Sequence, residues 1–295
     1  MSPARDHSGR PGRVLYRFAA PPGWAAGDFW LSRRAPEVFA EAAAAAVAAA
    51  PACRRWVTID ALNSCALRAY LLGPGPSGRG LDVAATVRSL DNLLTAHVLA
   101  YDAIHRIQPD AVVGVGTHGL SVYEVDRLAL DVLLAPSAGV DRYRLGPWLA
   151  GRRRRHYAFL GLPGARTWAE RGLRRLAAAA FPLEQALPRA TDAVYRRRRG
   201  RCVDLVQVDL RHPIVADHLR VVSGPGPLRW RMATDLWSEG PGGEDAPAFE
   251  AHPPAAGVEV WLAGPPGGDG WWTEAAYRSL TAGLAPAHPL GAGRS

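Results

Sequence analysis

The chain has 295 residues, enough for one large domain or two small ones, and 48% of them are hydrophobic, enough for a sizeable core. The formal net charge is +8, carried by arginine with no lysine anywhere. In a sequence this rich in Ala, Gly, Pro and Arg, that bias reads as GC-rich coding, leaving only a weak general attraction to polyanions.

Cys53, Cys65 and Cys202 are odd in number, widely spaced and without a C-x-x-C pair, which argues against a disulfide framework or a zinc site. Met1–Arg13 is polar and basic with no apolar run after it, so no signal peptide is read, and the alanine run Ala42–Ala50 is too short and too weakly apolar to cross a bilayer. The expectation is a cytoplasmic protein with no cofactor and no metal.

In chain order, Met1–Gly12 reads as a disordered lead and Val14–Phe18 as a strand. A helix from about Pro36 to Ala50 follows, with Pro36 tolerated in its first turn, Glu37 favourable at its amino end and Pro51 as its stop. Phe39, Ala42, Ala43, Ala46 and Val47 form its apolar stripe. The β-branched run Val57–Thr58–Ile59 favours a buried strand, with Asp60 at its carboxyl end. A helical segment reaches Tyr70 and Leu72. After a Gly/Pro-rich loop, a long helix over about Leu81–Ile107 carries Val83, Val87, Leu90, Leu94, Val98 and Tyr101 on one face. His97 lies near that face and reads as a structural histidine.

Ala111–Gly116 is another β-branched strand, ending Thr117–His118–Gly119, and a helix is expected over Val122–Leu134. Helices over Pro147–Tyr157 and Trp168–Ala180 come next, then an arginine run, Tyr195–Arg201. Val203–Val208 is a strand ending in Asp209–Leu210–Arg211. Ser223–Pro254, rich in Gly and Pro, reads as an irregular excursion. Val258–Leu262 is the last clear strand, Trp271–Leu284 a helix, and Ala285–Ser295 a loose tail. Apolar strands alternating with helices mean parallel βα units, and so an α/β fold.

Several of these stretches resemble glycoside hydrolase family 1, the β-glucosidase family. Trp56 and Thr58 fit its W-x-T-x-N-E-P strand. Tyr70, Leu72 and Gly73 fit the turn after it, and Asn92, Leu93, Leu94, Ala96 and His97 fit its N-L-L-x-A-H helix. Leu15–Phe18 stands where that family's third strand ends, with Arg17 in place of a sugar-contacting histidine. Asp204 and Asp209 fall on its D-x-I-G-x-N-Y-Y strand, and Val260–Gly264 on its I-T-E-N-G strand. The resemblance runs from about Val14 to Leu284. It implies an incomplete (β/α)8 barrel, about strands three to seven, as one partial-barrel domain over 13–284. Five parallel strands leave two apolar edges open, so the excursion, the tail, or a second copy or partner chain is expected to cover them.

The departures fall on the chemistry. Retaining glycosidases need two carboxylates about 5–5.5 Å apart. Here Ala61 takes the place of the general acid/base glutamate and Leu262 that of the nucleophile. The resemblance therefore implies a non-hydrolytic relative, a pseudoenzyme binding a sugar-bearing or other small polar ligand. Active sites of such folds lie at the carboxyl ends of the strands. There the chain offers Asp60, His118 and Asp209 as candidate acid/base groups, and Arg17, Asn63, Arg211 and Trp261 as candidate ligand contacts. Two alternatives stay open: an enzyme reusing Asp60, His118 and Asp209 for other acid/base chemistry, and a residual glycosidase with Asp60 as a displaced acid. A structural alternative pairs Arg17 with Asp60 and Arg211 with Asp209. The runs Arg152–Arg155 and Tyr195–Arg201 read as solvated surface, so neither nucleic acid nor membrane is expected as a partner.

Overall fold

The computed structural model describes residues 2–5, 11–16, 28–71, 82–118, 123–159, 175, 187–197, 200–209, 214–223, 230–238 and 259–263. The expected helix over 271–284, the tail, and all of the helix over 168–180 except Arg175 lie outside these residues.

A six-stranded sheet forms the centre, in the spatial order β1 (Ser2–Arg5), β2 (Pro11–Tyr16), β3 (Arg55–Ile59), β4 (Val112–His118), β5 (Leu205–Asp209) and β8 (Glu259–Ala263). From β2 to β8 every pairing is parallel, so the five strands expected from the sequence form one α/β sheet. Among the described residues the sheet is open, since β1 and β8 are its two ends.

Two expectations are corrected. Ser2–Arg5, read as part of a disordered lead, pairs antiparallel with Pro11–Val14 and covers the outer edge of β2. Its Pro3 suits an edge position, where a missing N–H costs no ladder bond. Trp230–Ser238, read as part of an irregular excursion, is strand β7. It forms an antiparallel hairpin with β6 (Ile214–Ser223), making a separate two-stranded sheet.

The helices follow their sequence signals. α1 (Ala35–Ala48) holds Pro36 in its first turn and buries Ala35, Pro36, Phe39, Ala40, Ala43 and Val47. α2 (Leu62–Ala66) follows the turn at Asp60–Ala61. α3 (Val83–Ile107) starts at Asp82, whose carboxylate accepts the Ala85 amide at 2.9 Å, and carries His105 and Arg106 in its last turn, where cations oppose the helix dipole. α1 packs along α3. The expected helix over Val122–Leu134 is divided into α4 (Tyr123–Asp126) and α5 (Leu128–Leu134), because Arg127, at φ −117°, opens the turn between them. α6 (Leu145–Phe159) and α7 (Pro188–Tyr195) complete the described helices.

The core lies between the sheet and these helices. Leu93, Leu94, Ala96 and Ala100 of α3 meet Ile59 and Val115 of the sheet, with Leu128, Val132 and Leu133 of α5 in the same cluster. A smaller cluster at the amino ends of the strands joins Trp56, Val113, Tyr101, Ile104 and Val47. There the Trp56 indole donates to Gln108 Oε1 at 3.0 Å.

Candidate functional site

The residues that carry the family resemblance are anchors. Asn92 of α3 donates to the carbonyls of Trp30 and Ser32, and its Oδ1 accepts from Arg189 of α7. Beside it, Asp91 accepts the amides of Arg189 and Ala190, capping α7. His97 is fully buried. Its Nε2 lies 2.9 Å from the Cys202 carbonyl and its Nδ1 2.7 Å from the Thr58 hydroxyl. A carbonyl only accepts, so Nε2 carries the hydrogen and Nδ1 accepts from Thr58. Burial pushes the imidazole down to about 4, and at neutral pH it is uncharged.

Asp204, just before β5, accepts from the Tyr101 hydroxyl at 2.7 Å and the Val113 amide at 3.1 Å, and His105 stands 3.3 Å away. Burial alone would raise its carboxyl, but the bonds from His105, Tyr101 and Val113 outweigh that and hold it below the usual range. These groups sit at the amino ends of β4 and β5, the end that carries stability in parallel sheets.

Among the described residues, several arginines of the two runs are paired. Arg152 reaches the buried Asp131 at 3.4 Å, and Arg153 reaches Glu124 at 3.5 Å. Arg196 meets Asp192 at 3.2 Å. Arg197 grips both oxygens of Asp102 and lies 4.7 Å from the centre of the Tyr101 ring. Arg152 and Arg197, 13% and 7% exposed, are thus held in structural ion pairs, whereas Arg196, 78% exposed, lies on the surface as expected.

The carboxyl ends of the strands hold a different arrangement. Tyr16 closes β2, its hydroxyl accepting from the Trp30 indole at 3.0 Å, with burial raising its pKa to about 12. Its carbonyl receives the Asp60 amide at 2.9 Å. Ala61 then turns into the left-handed region, φ 50° and ψ 52°, and its carbonyl starts the next helical turn by accepting the Cys65 amide at 3.0 Å. An L-residue there costs roughly 1–2 kcal/mol, against about 0.5–1 kcal/mol for the extra freedom of an unfolded glycine. Ala61→Gly is accordingly expected to stabilise the chain by about 0.5–1 kcal/mol in urea denaturation, and a loss of stability would contradict the left-handed turn.

This turn folds Asp60 over β4. Asp60 is half-buried, and its Oδ1 accepts from Gln207 Nε2 at 2.9 Å. The residue between them is Gly116, the register partner of Gln207. A Cβ at Gly116 would lie 2.9 Å from the Ala61 nitrogen and 3.0 Å from Asp60 Oδ1. The missing side chain is what lets β3 and β5 touch across β4. One step along, Trp261 is the register partner of Gln207. Two residues further, His118 pairs with Asp209 and Asp209 with Ala263.

The backbone thus places Asp60, His118, Asp209 and Trp261 at the same end of adjacent strands, while Arg17 and Arg211 lie outside the described residues. Asn63 is 2% exposed, and its Oδ1 accepts the Ser64 amide at 2.9 Å, within the turn itself. Leu262 pairs with Val208 in the backbone ladder. Gln207 was missed by the sequence reading, although an amide inside the apolar run Leu205–Val208 was the available signal. Among the described residues, no group of three or more His, Cys, Asp or Glu could hold a metal ion, and no helix is long and apolar enough to cross a membrane.

The chain is an α/β protein whose central sheet, parallel from β2 to β8, is open among the described residues. No family model matches it, and no curated protein matches it. Among solved structures, a family 1 β-glucosidase from Thermotoga maritima is 14% identical, with a TM-score of 0.44 over 75% of this chain and 44% of that one. The β-glucosidase from Thermotoga maritima in complex with azafagomine gives the same four figures. The AHE enzyme from Alicyclobacillus herbarius is 13% identical, with a TM-score of 0.39 over 74% of this chain and 45% of that one. The chain spans less than half the length of these proteins.

Proposed function

We propose that this chain is a non-hydrolytic, degenerate relative of the family 1 glycoside hydrolases, corresponding to about strands three to seven of their barrel. On this reading it binds a sugar or another small polar ligand at the carboxyl ends of its parallel strands. The observation that carries the reading is the division of labour along the motifs. Trp56, Thr58, Asn92 and His97 are engaged in holding strands and helices together. The two seats of the resembled chemistry hold Ala61 and Leu262, which neither donate a proton nor attack a sugar carbon. Polar groups stay at the strand ends, in Asp60 and Gln207.

A second reading, an enzyme using other acid/base chemistry, is favoured by one feature. His118 and Asp209 are register partners on adjacent parallel strands, roughly 5 Å apart in the backbone, a spacing at which an imidazole and a carboxylate can work together.

Two assays separate the readings. The purified chain is expected to release no nitrophenol from 4-nitrophenyl β-glucoside above the buffer blank, while calorimetry with a panel of simple sugars detects binding. Turnover abolished by Asp60→Ala would replace the first reading with a residual glycosidase. Absence of binding to every sugar would remove the binding function.

A further inference from the structure

We propose that Thr58 and His97 form a proton-operated switch inside the core. When the imidazole takes up a second proton, the Thr58 hydroxyl turns its hydrogen from α3 to β4, and the fold stays closed around it. The observation behind this is a mismatch between hydrogen-bond contacts and hydrogens. His97 Nε2 lies 2.9 Å from the Cys202 carbonyl, and His97 Nδ1 lies 2.7 Å from the Thr58 hydroxyl. That hydroxyl lies 3.1 Å from the Gly114 carbonyl. Both ends of this line are carbonyls, which only accept. A neutral imidazole and one hydroxyl bring two hydrogens to three contacts.

At neutral pH the Nε2 hydrogen goes to Cys202 and the hydroxyl hydrogen to Nδ1, so the Gly114 contact has no hydrogen of its own. An imidazolium brings one more. Nδ1–H then donates to the Thr58 oxygen, the hydroxyl hydrogen turns to the Gly114 carbonyl, and all three contacts are filled. One proton enters at Nδ1, none leaves, and no heavy atom has to move. The partners come from four places: Thr58 from β3, Gly114 from β4, His97 from α3 and Cys202 from the segment before β5. Thr58, His97 and Cys202 are all buried. Burial opposes the charge, and so does Arg197, whereas Asp102 of α3 and Asp204 before β5 favour it. The Tyr101 ring meets the imidazole edge-on at 6.3 Å, and the Cys202 thiol, kept protonated by burial, donates to the Leu133 carbonyl at 3.2 Å. Filling the third contact offsets part of the burial cost, because every hydrogen-bonding group of the protonated line has a partner.

The test is NMR of the full chain with labelled histidine side chains and backbone carbonyls, titrated from about pH 7 to about pH 3, past the value of about 4 to which burial lowers this imidazole. The His97 ring signals are assigned by their loss in His97→Gln. At neutral pH Nδ1 is expected at the position of a bare ring nitrogen. In acid both nitrogens are expected to carry hydrogen while the backbone amide spectrum stays dispersed. The Gly114 carbonyl signal is expected to move with the same midpoint, as it gains the hydroxyl.

Two variants separate the hydroxyl from the shape of the side chain. Thr58→Val keeps the shape and is expected to lower the proton affinity of His97 at least threefold, because the cation loses its acceptor. Thr58→Ser keeps the hydroxyl and is expected to leave the affinity within twofold. A role in packing alone would reverse that order. If the valine variant fails to fold, the wild-type Gly114 signal and the serine variant carry the test. A Gly114 carbonyl that stays still through the titration overturns the proposal. So does an Nδ1 already protonated at neutral pH, an unchanged or higher affinity in Thr58→Val, or a spectrum that collapses before the second proton goes on.

Discussion

Replacing Gly114 by alanine is expected to cost about 3 kcal/mol or more, which in a chain of this size lowers the melting temperature by roughly 5 °C. The reason is backbone proximity. A Cβ at Gly114 would sit 2.1 Å from the carbonyl oxygen of Leu205 and 2.6 Å from its Cβ. Gly114 and Leu205 are register partners, so relief requires β4 and β5 to move apart along a ladder of five pairs. Flexible side chains can turn away from an added methyl, but a paired carbonyl cannot. Gly151, in α6, is the control. An added Cβ meets nothing within 4 Å there, and helix propensity alone predicts a gain of about 0.5–1 kcal/mol from alanine. Urea denaturation of the two variants checks the contrast. A loss below about 1 kcal/mol for Gly114→Ala would mean that the strands are not spaced this way.

The second large effect is a pH dependence centred on His97. Its imidazole is held down to about 4 by burial, from 6.5 in an unfolded chain. Between pH 6.5 and 4 the unfolded chain therefore holds a proton at this site that the folded chain refuses. The stabilisation is complete above pH 6.5, falls by about 1.4 kcal/mol per unit on acidification, and is gone below about pH 4. The total is about 3 kcal/mol. Arg197, Asp204 and Asp102 surround the group and modulate the shift, while burial dominates it. Asp91 and Asp131, whose carboxyls burial raises, contribute slopes of opposite sign. Those slopes are common to wild type and His97→Gln, so the measurement is the difference between the two stability curves from pH 7 to 4. That difference is expected to shrink by about 3 kcal/mol. Parallel curves would show that His97 titrates normally.

The parts legible in the sequence were those in which one physical signal acted alone. Val57–Ile59 is β-branched and fully apolar apart from Thr58, and it is buried as read. The long helix was set by its stripe of Leu90, Leu94, Val98 and Tyr101, and its histidine is structural because its two nitrogens have a hydroxyl and a carbonyl to bond. The hairpin of β6 and β7 escaped notice because its register shifts between Asp217 and Leu219. A bulge of this kind breaks the two-residue alternation by which strands are recognised. Ser2–Arg5 carries no strand signal of its own, since an edge strand is held by its partner's backbone. At the site, Asp60 was legible as the residue closing an apolar strand. Its bond to Gln207 was not, because that bond depends on what Gly116 lacks and on the left-handed turn at Ala61, and neither follows from local pattern.

The two glycines of β4 have a broader consequence. Over Gly114–Gly116 this strand offers no side chain larger than valine and behaves as a bare rail between two furnished ones. The side chains of Asp60 and Gln207 on either side can therefore be changed without disturbing the rail. A change on the rail itself disturbs both neighbours together.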